Sequence, residues 1–232
     1  MKISKFALVS VIIILGIGIY FIATMENKIS FTNQSKIVNL PEPKYQSQTS
    51  VEKAILERRS IRDYQDKPLN LAEVSQLLWA AQGITNEQGQ RAAPSAGALY
   101  PLELYLFAGN VSDLNAGIYK YQPQEHQLLR IIEADKREEL CQAALSQSSV
   151  KGAAAVIVFT AVYERTTGKY GERGIRYVQM EVGHAAQNVY LQAVSLNLGT
   201  VTIGAFDDEK VKKIVQMAEE EKPLYIMPVG RK

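Results

Sequence analysis

A run of cations beside a hydroxyl is the first feature of this sequence that could do chemistry. Residues 58–64 read Arg-Arg-Ser-Ile-Arg-Asp-Tyr and directly follow a predicted helix. The alternation within the run directs the side chains of Ser60 and Arg62 to one side of the backbone. Guanidinium groups suit a phosphate, because their paired N–H donors match its oxygens. The run predicts either a phosphate site or a solvated basic surface paired with Glu57 and Asp63, and the residues alone leave both open.

Lys169 and Tyr170 form a second candidate, and Gly171 follows them as a glycine that could act as a hinge. An ammonium group and a phenol can each act as general acid or base once their surroundings adjust the pKa. The alternative is an exposed charged loop without a catalytic role, which residue type alone favours.

A third candidate is the segment 94–101, which reads Pro-Ser-Ala-Gly-Ala-Leu-Tyr-Pro. Small side chains would let a flat ligand come close to the backbone, whose N–H groups then serve as donors. The alternative is a tight loop in which alanine and glycine pack for lack of space. This segment alone is weak support for a binding site.

Several classes of protein are disfavoured by composition and by missing motifs. A net charge of +2 gives no support for a general nucleic-acid binder. Neither a Rossmann glycine fingerprint, a P-loop nor a nucleophile elbow is present. With Cys141 as the one cysteine and His126 and His184 as the two histidines, no metal site is expected. Cys141 lies among apolar residues and is predicted to belong to the core.

Residues 6–25 are apolar and carry no charge, which is about the 20 residues that a membrane-spanning helix needs. Lys2 and Lys5 precede them, and residues 22–24 match a signal-peptide cleavage site poorly. An uncleaved anchor is therefore favoured over a cleaved signal. The positive-inside tendency favours a location of the rest of the chain outside the cytoplasm, but Lys28 and Lys36 on the other flank weaken this bias. The predicted organisation is an anchor or signal segment (1–25), a tether (26–48) and a folded domain (49–232).

Capping residues and apolar periodicity predict helices that alternate with strands across the folded domain. The hairpin and the uneven connections argue against a regular doubly wound sheet, so the predicted fold is α+β, with helices around one central sheet. Helices are predicted directly after Thr49 and directly after Asp207, and also from 71 to Gly83, from Asp135 to about 145 and from 175 to 196. Strands are predicted at 102–107, 118–121, 128–132, 153–161, 200–203 and 224–227, and a loop is predicted at 163–174.

Six segments in a fixed order carry a resemblance that no single one would support. They are Arg-Arg-Ser-Ile-Arg-Asp-Tyr at 58–64, Pro-Ser-Ala-Gly-Ala-Leu-Tyr-Pro at 94–101, Lys-Tyr-Gly-Glu-Arg at 169–173, Glu-Val-Gly-His at 181–184, Ile-Gly-Ala-Phe at 203–206 and Pro-Val-Gly at 228–230. Together they resemble the nitroreductase superfamily, and within it the SagB-type dehydrogenases. The resemblance covers about residues 51–231 and leaves out the anchor and the tether.

The resemblance implies a nitroreductase-like fold, with a central mixed sheet surrounded by helices. It also implies flavin mononucleotide (FMN) as cofactor and a homodimer in which the long helix lies at the interface. The resemblance assigns the phosphate, ribityl chain and ring edge, by position, to Arg58, Arg59, Ser60 and Arg62. The flavin ring would be lined by Pro94, Ser95, Ala96 and Gly97, with the Gly204 N–H at flavin N5 and Ala205 beside the ring. Arg231 would lie near the phosphate.

In the azoline-oxidising members of that branch a Lys-Tyr pair is implicated in catalysis, and Lys169 and Tyr170 match it. We therefore expect an FMN-dependent oxidoreductase that transfers hydride to or from a small substrate by a ping-pong mechanism. The alternatives are an azoline dehydrogenase in the synthesis of thiazole- or oxazole-modified peptides, and a flavin-binding membrane protein without turnover. The expected electron donor is NAD(P)H, or a membrane quinol if the domain lies outside the cytoplasm.

Overall fold

The apolar run near residue 155 forms an interior strand of a seven-stranded sheet. The computed structural model of the chain describes residues 36–232. Its strands are β1 (Ile37–Asn39), β2 (Leu69–Asn70), β3 (Leu102–Ala108), β4 (Val111–Ser112), β5 (Gly117–Gln122), β6 (Gln127–Ile132), β7 (Ala155–Val162), β8 (Leu198–Thr200) and β9 (Glu221–Arg231). The strand order in the sheet is β1-β6-β5-β3-β7-β9-β8, with antiparallel pairs from β6 to β8, while β2 and β4 form a separate parallel pair.

Helices cover both faces of this sheet. They are α1 (Val51–Glu57), α2 (Leu71–Gln82), α3 (Arg137–Ala143), α4 (Ser148–Gly152), α5 (Glu164–Tyr170), α6 (Arg173–Ser195) and α7 (Asp208–Val215), and a short 3₁₀ turn spans Ala96–Ala98. Alternate residues of a strand face opposite sides. Ile157 accordingly packs in a core cluster with α2 and α6, and Val158 packs in a second cluster with α3, α4 and α7. The predicted α+β fold with helices around a central sheet is confirmed.

The arginine-bearing run is held against the sheet edge by backbone and phenol hydrogen bonds. The Ile61 N–H donates to the carbonyl of Thr200, the last residue of β8, at 2.9 Å. The Tyr64 hydroxyl shares its one proton between the Ile61 carbonyl at 2.7 Å and the Pro228 carbonyl of β9 at 3.2 Å. These bonds fix the backbone on both sides of Arg62.

Two glycines give the run the space it needs. A Cβ added to Gly199 would lie 2.7 Å from the Ile61 Cγ2, and one added to Gly230 would lie 2.6 Å from the Tyr64 Cγ. Both distances are far below ordinary carbon contacts of about 3.5–4.0 Å. Ile61 and Tyr64 therefore sit where side chains on β8 and β9 would otherwise stand.

Most predicted elements are present. The sequence pattern Asn70-x-x-Glu73 predicts a capping box at the start of α2. It is confirmed, because Asn70 Oδ1 accepts from the Glu73 N–H and Glu73 Oε2 accepts from the Asn70 N–H, both at 2.9 Å. The hairpin is confirmed as β5 and β6. Cys141 is buried in the core, as predicted.

The structure corrects several of the predicted elements. The cap of α1 is Ser50 rather than Thr49, since Ser50 Oγ is the oxygen that accepts from the Lys53 N–H. The loop predicted at 163–174 contains α5, and the long helix begins at Arg173 rather than at residue 175. The strand predicted at 200–203 is β8, which ends at Thr200. The strand predicted at 224–227 is the eleven-residue β9; its Pro228 lacks an N–H, and β8 pairs only with Val229 to Arg231 beyond it.

The predicted anchor and the first part of the predicted tether lie outside the described residues. Within residues 36–232, no helix is both long and apolar enough to span a bilayer. Residues 38–48 belong to the same compact unit as the domain. Lys44 and Gln76 hold this stretch in place, because the Lys44 N–H donates to Gln76 Oε1 at 2.7 Å and the Lys44 carbonyl accepts from Gln76 Nε2 at 3.0 Å.

We predict that Gly230→Ala destabilises the protein by about 1–3 kcal/mol, the usual cost of forcing an extra methyl into a packed site. The added Cβ would meet the Cβ and Cγ of Tyr64, which cannot move without displacing the arginine run. Urea unfolding measures the effect. Gly152→Ala is the matched control, because a Cβ there meets nothing within 4 Å. Equal unfolding free energies for the two variants would contradict the proposed seating of Tyr64.

Candidate functional site

Two of the predicted site segments meet in the structure. Lys169 and Tyr170 end α5, and their side chains reach the 3₁₀ turn that contains Gly97. A Cβ on Gly97 would lie 2.8 Å from Tyr170 Oη and 3.1 Å from Lys169 Nζ. Gly97 has a φ of +65°, which favours glycine. Segments about seventy residues apart in sequence therefore form one surface, on which Lys169 is exposed and Tyr170 is half-buried.

Aromatic and cation contacts orient the pair. The Lys169 ammonium lies 5.5 Å from the centre of the Tyr170 ring. The ring of Tyr177 meets the Tyr170 ring edge to face, with 5.2 Å between centres. Both arrangements are the favourable ones for an aromatic quadrupole. The phenol thus has a preferred direction although it lies near the surface.

An ion pair ties α5 to the sheet. Arg165 Nη2 lies 2.5 Å from Glu103 Oε1 of β3, and Arg165 Nη1 donates to the Tyr100 carbonyl at 3.1 Å. Glu103 also pairs with Lys120 at 3.4 Å, and Lys120 pairs with the buried Glu221 at 2.7 Å. A chain of charges across the sheet therefore ends at the helix that carries Lys169 and Tyr170.

Gly171 separates this helix from α6. It has φ 57° and ψ −149°, a combination that is open essentially to glycine alone. The Gly171 N–H still donates to the Thr167 carbonyl at 2.7 Å, so α5 is closed before the chain turns. The turn leaves Lys169 and Tyr170 in the last turn of α5, facing the 3₁₀ turn.

Tyr190 of α6 joins the arginine run to the segment that leads to Gly204. Its hydroxyl lies 3.0 Å from Ser60 Oγ and accepts from the Thr202 N–H at 2.9 Å. The Arg58 guanidinium stacks over its ring at 5.1 Å. Burial raises the pKa of the Tyr190 phenol, but the hydrogen bonds with Ser60 and Thr202 outweigh it, and the pKa is lower than usual.

The remaining predicted cofactor residues have varied surroundings. Arg59 Nη1 donates to the carbonyls of Leu56 at 3.0 Å and Arg58 at 2.8 Å, so this guanidinium caps the end of α1. Arg62 is exposed. The Arg231 guanidinium forms a two-point ion pair with Glu73, at 2.6 and 2.8 Å. Arg231 therefore faces a carboxylate, where a phosphate was expected.

The small residues of the predicted site are accessible. Pro94 is exposed, and Ser95 and Ala96 are half-buried. Gly204 and Ala205 are both exposed, and the nearest atom to a Cβ on Gly204 would be in the Tyr225 ring at 3.6 Å. A ligand can reach the backbone at both places.

Sequence reasoning missed a buried carboxyl behind the Pro94–Gly97 stretch. Ser95 Oγ donates to Glu181 Oε2 at 2.6 Å, and Glu181 is only 3% exposed. Burial raises the pKa of Glu181 to about 7, although the Ser95 bond and the charge of Arg91 oppose the shift. The available signal was position: Glu181 is an acidic residue on the helix face that otherwise carries Val178 and Ala185.

A groove of about 620 Å³ lies elsewhere on the domain, between residues 44–51 and helices α2 and α6. Tyr45, Trp79 and Leu191 are among its lining residues. None of the predicted site residues lines it. The chemistry predicted from the sequence therefore lies on a more open surface than this groove.

Known proteins that are similar to this chain belong to the family that the six sequence segments resemble. The model described as the nitroreductase family matches residues 55–231. A protein of Methanocaldococcus jannaschii, provisionally named a nitroreductase, is 50% identical over 182 residues, which cover 78% of this chain and 91% of that protein. The trifolitoxin-processing protein TfxB of Rhizobium leguminosarum bv. trifolii is 33% identical over 119 residues, 49% of this chain and 32% of its own length.

The fold has close counterparts among solved structures. A protein of Ralstonia eutropha JMP134, also provisionally named a nitroreductase, superposes with a TM-score of 0.74 at 28% identity. The superposition covers 84% of this chain and 89% of that one. The similarity therefore extends over nearly all of the described domain.

We predict that Gly97→Ala displaces the Lys169 and Tyr170 side chains, because the new Cβ would lie within 3.1 Å of both. Gly89→Ala is the matched control: Gly89 also has a positive φ, +75°, but no atom lies within 4 Å of its Cβ position. Both variants should lose about 1–2 kcal/mol from backbone strain, measured by urea unfolding. Crystal structures of the two should differ at Tyr170, and an unmoved Tyr170 in Gly97→Ala would contradict the contact.

Proposed function

Because the chain belongs to the nitroreductase family, we propose that it is an FMN-dependent oxidoreductase that transfers hydride to or from a small substrate by a ping-pong mechanism. The observation that carries the proposal is the meeting of Lys169 and Tyr170 with Gly97. It combines a proton donor pair with an accessible backbone on one surface. FMN supplies the hydride chemistry when bound, and the protein supplies position and electrostatics.

The residues present fit the phosphate end of FMN. Within residues 36–232, neither Arg58 nor Arg62 has a carboxylate in ion-pair contact, so both guanidiniums are available to an anion. Ser60 adds a hydroxyl beside Arg58, and Tyr190 holds both. We assign the phosphate to Arg58, Ser60 and Arg62. Arg231 is engaged through Nε, Nη1 and Nη2, so it enters the proposal only if it changes partners. Arg59 is held through Nη1, and its place at the phosphate stays a proposal from the resemblance.

The ring of FMN fits the small residues. Pro94, Ser95, Ala96 and Gly97 would line one side of it, and the exposed backbone at Gly204 and Ala205 would lie at its reacting edge. Gly97 leaves room there that any side chain would fill. The proposed role of Gly204 is to offer its N–H to the edge of the ring.

Lys169 and Tyr170 would then hold and move a proton for the substrate. Both polar atoms face the 3₁₀ turn, on the surface where a flat substrate would stack. The Tyr170 hydroxyl can give or accept a proton, and the Lys169 ammonium can give one. Proton transfer at these atoms would accompany hydride transfer at the cofactor.

We also propose that the protein acts as a homodimer through α1 and α6. Ile175 and Met180 of α6 are 42% and 52% exposed, and Ile55 and Leu56 of α1 are 59% and 73% exposed. Exposed apolar residues of this size on neighbouring helices are typical of an interface.

The second candidate is azoline oxidation in a modified peptide. It is favoured by the 33% identity to a trifolitoxin-processing protein and by the Lys169 and Tyr170 pair. Such an enzyme would oxidise a ring on a peptide, so peptide binding beside Tyr170 would distinguish it from an enzyme of small free substrates. Lys169 is exposed, so the pair is accessible from solvent in either case.

The proposed electron donor is NAD(P)H. If residues 1–25 anchor the chain with its domain outside the cytoplasm, a membrane quinol becomes the better donor, because nicotinamide cofactors are scarce there. Both the anchor and this location are proposals that rest on the sequence. A fusion at the C-terminus that reports topology would decide between the donors.

The visible absorption spectrum of the full chain, purified in detergent, tests the proposal. We expect a yellow protein that releases FMN on denaturation and bleaches when NADH or NADPH is added without oxygen. A yellow protein that bleaches only with a reduced quinone would support the membrane donor. A colourless protein that takes up no added FMN would overturn the proposal.

We predict that Arg58→Ala with Arg62→Ala weakens FMN binding by at least about 100-fold. The phosphate loses two charge-assisted partners, each of roughly 1.5–3 kcal/mol. Quenching of FMN fluorescence on titration measures the affinity. Lys67→Ala with Lys213→Ala removes the same charge at exposed positions and serves as the control. Wild-type affinity in the arginine variant would remove the phosphate role.

We predict that Lys169→Ala and Tyr170→Phe each keep bound FMN but slow turnover, by about 100-fold or more if the group acts in proton transfer. Single-turnover oxidation and reduction of the bound flavin separate this effect from cofactor loss. Lys151→Ala is the control, because Lys151 is an exposed lysine whose partner, Glu138, lies at 3.6 Å. Normal turnover in both variants would contradict the proposed role of Lys169 and Tyr170 in proton transfer.

A further inference from the structure

Glu181 is a buried carboxyl that the proposed reaction leaves unused. It lies on α6, directly behind the segment proposed to line the flavin ring. Its Oε2 accepts from Ser95 Oγ at 2.6 Å. Its Oε1 is buried and has no hydrogen-bond partner among the described residues. A buried polar atom without a partner costs free energy, so its retention requires a reason.

Ser95 has one proton to give, and this structure directs it away from the ligand surface. The Ser95 Oγ donates to Glu181 and accepts from the Tyr100 N–H at 2.9 Å. A hydroxyl has one donor and two acceptor positions. While Glu181 is ionised, the single Ser95 donor is therefore engaged within the protein, and one acceptor position remains.

Protonation of Glu181 would reverse the direction of this bond. The neutral carboxyl can donate its proton to Ser95 Oγ, which still accepts from the Tyr100 N–H. The Ser95 proton is then free to turn towards a ligand. No covalent bond changes other than the uptake of one proton from solvent by Glu181.

We propose that Glu181 is a positioning residue whose protonation decides whether Ser95 can donate a hydrogen bond to a flavin lying along Pro94–Gly97. The proposal rests on the proposed function, since the flavin supplies the acceptor atoms. A flavin that accepts this bond would bind more tightly to the protonated form. Flavin binding and proton uptake at Glu181 are therefore linked.

The charges around Glu181 permit this linkage near neutral pH. Arg91, from the loop before Pro94, is the charged group that acts on it, but Arg91 Nη1 is held by Gln82 Oε1 at 2.9 Å. Glu103 and Arg165 act in turn on Arg91. Lys169 and Tyr170 of α5 face Gly97, two residues beyond Ser95, and Tyr177 and His184 lie one turn away on α6 itself.

The raised pKa of Glu181 determines how flavin affinity should change with pH. The pKa of Glu181 is raised to about 7, so the neutral form predominates below that pH and the carboxylate above it. Flavin affinity should therefore be higher on the acidic side and fall as the pH rises through 7. One net hydrogen bond corresponds to a change of roughly threefold to tenfold in the dissociation constant.

The experiment is an FMN titration by fluorescence quenching from pH 5.5 to 8.5, with the full chain and with Glu181→Gln. The glutamine side chain can donate to Ser95 Oγ at every pH and so imitates the protonated carboxyl. We expect the wild-type affinity to fall roughly threefold to tenfold relative to Glu181→Gln as the pH rises. The ratio of the two affinities cancels the titration of the FMN phosphate, which both proteins bind.

Three further measurements keep the result unambiguous. Ser95→Ala should bind weakly, with a constant ratio to Glu181→Gln, because no donor remains to be switched. Glu125→Gln, an exposed carboxyl on the β5–β6 turn, should follow the wild type. Infrared titration of the flavin-free protein should detect a protonated carboxyl that disappears near pH 7 in the wild type and is missing in Glu181→Gln.

Failure of the Glu181 proposal and failure of the proposed function give different experimental results. If wild type and Glu181→Gln bind FMN with a constant ratio across the pH range, the role of Glu181 is overturned and the proposed function stands. If the infrared band is missing from the wild type, Glu181 is ionised throughout and the proposed switch is overturned. If no variant binds FMN at any pH, the proposed function falls, and the inference falls with it.

Discussion

The placement of the arginine run depends on a steric constraint: two strand positions must carry no side chain. Ile61 lies over Gly199 and Tyr64 lies over Gly230, with distances that leave no space for a Cβ. The hydrogen bond from the Ile61 N–H to the Thr200 carbonyl then fixes the position of residues 58–64 relative to strand β8. The Arg58 guanidinium then stacks over the ring of Tyr190 in helix α6, 5.1 Å from its centre.

Helix α6 relates the two halves of the proposed site. Tyr190 contacts the arginine run through Ser60, and Glu181 contacts the ring-lining segment through Ser95. These two helix positions are nine residues apart, about 13 Å along a helix axis. One rigid element therefore carries both contacts and sets the spacing between the arginine run and the Pro94–Gly97 segment.

Features with strong local causes could be predicted from the sequence, and features set by tertiary contact could not. The capping box at Asn70 and the apolar strand β7 follow from local patterns. Helix α5 was missed because Gly168 and Gly171 suggest a loop, whereas Arg165 and its contact with Glu103 anchor this segment against the sheet. The full length of β9 was hidden by its prolines.

The same distinction between local pattern and tertiary contact applies to the residues of the candidate site. The arginines and the Lys169 and Tyr170 pair were found because charge and spacing are visible in sequence. Glu181 was missed because its importance comes from burial against Ser95, a residue 86 positions away. The surroundings of Arg231 were also not predictable, since its partner Glu73 lies 158 positions away and meets it only when β9 is in place.

The link between α5 and the sheet has a practical consequence. Arg165 is 41% exposed, so its attraction to Glu103 acts partly through solvent. Dissolved ions screen such pairs over about 8 Å at physiological ionic strength and about 3 Å at 1 M. Ionic strength therefore acts directly on the attachment of the helix that carries Lys169. Measurements that depend on the Lys169 side chain should therefore be compared between buffers of equal salt content.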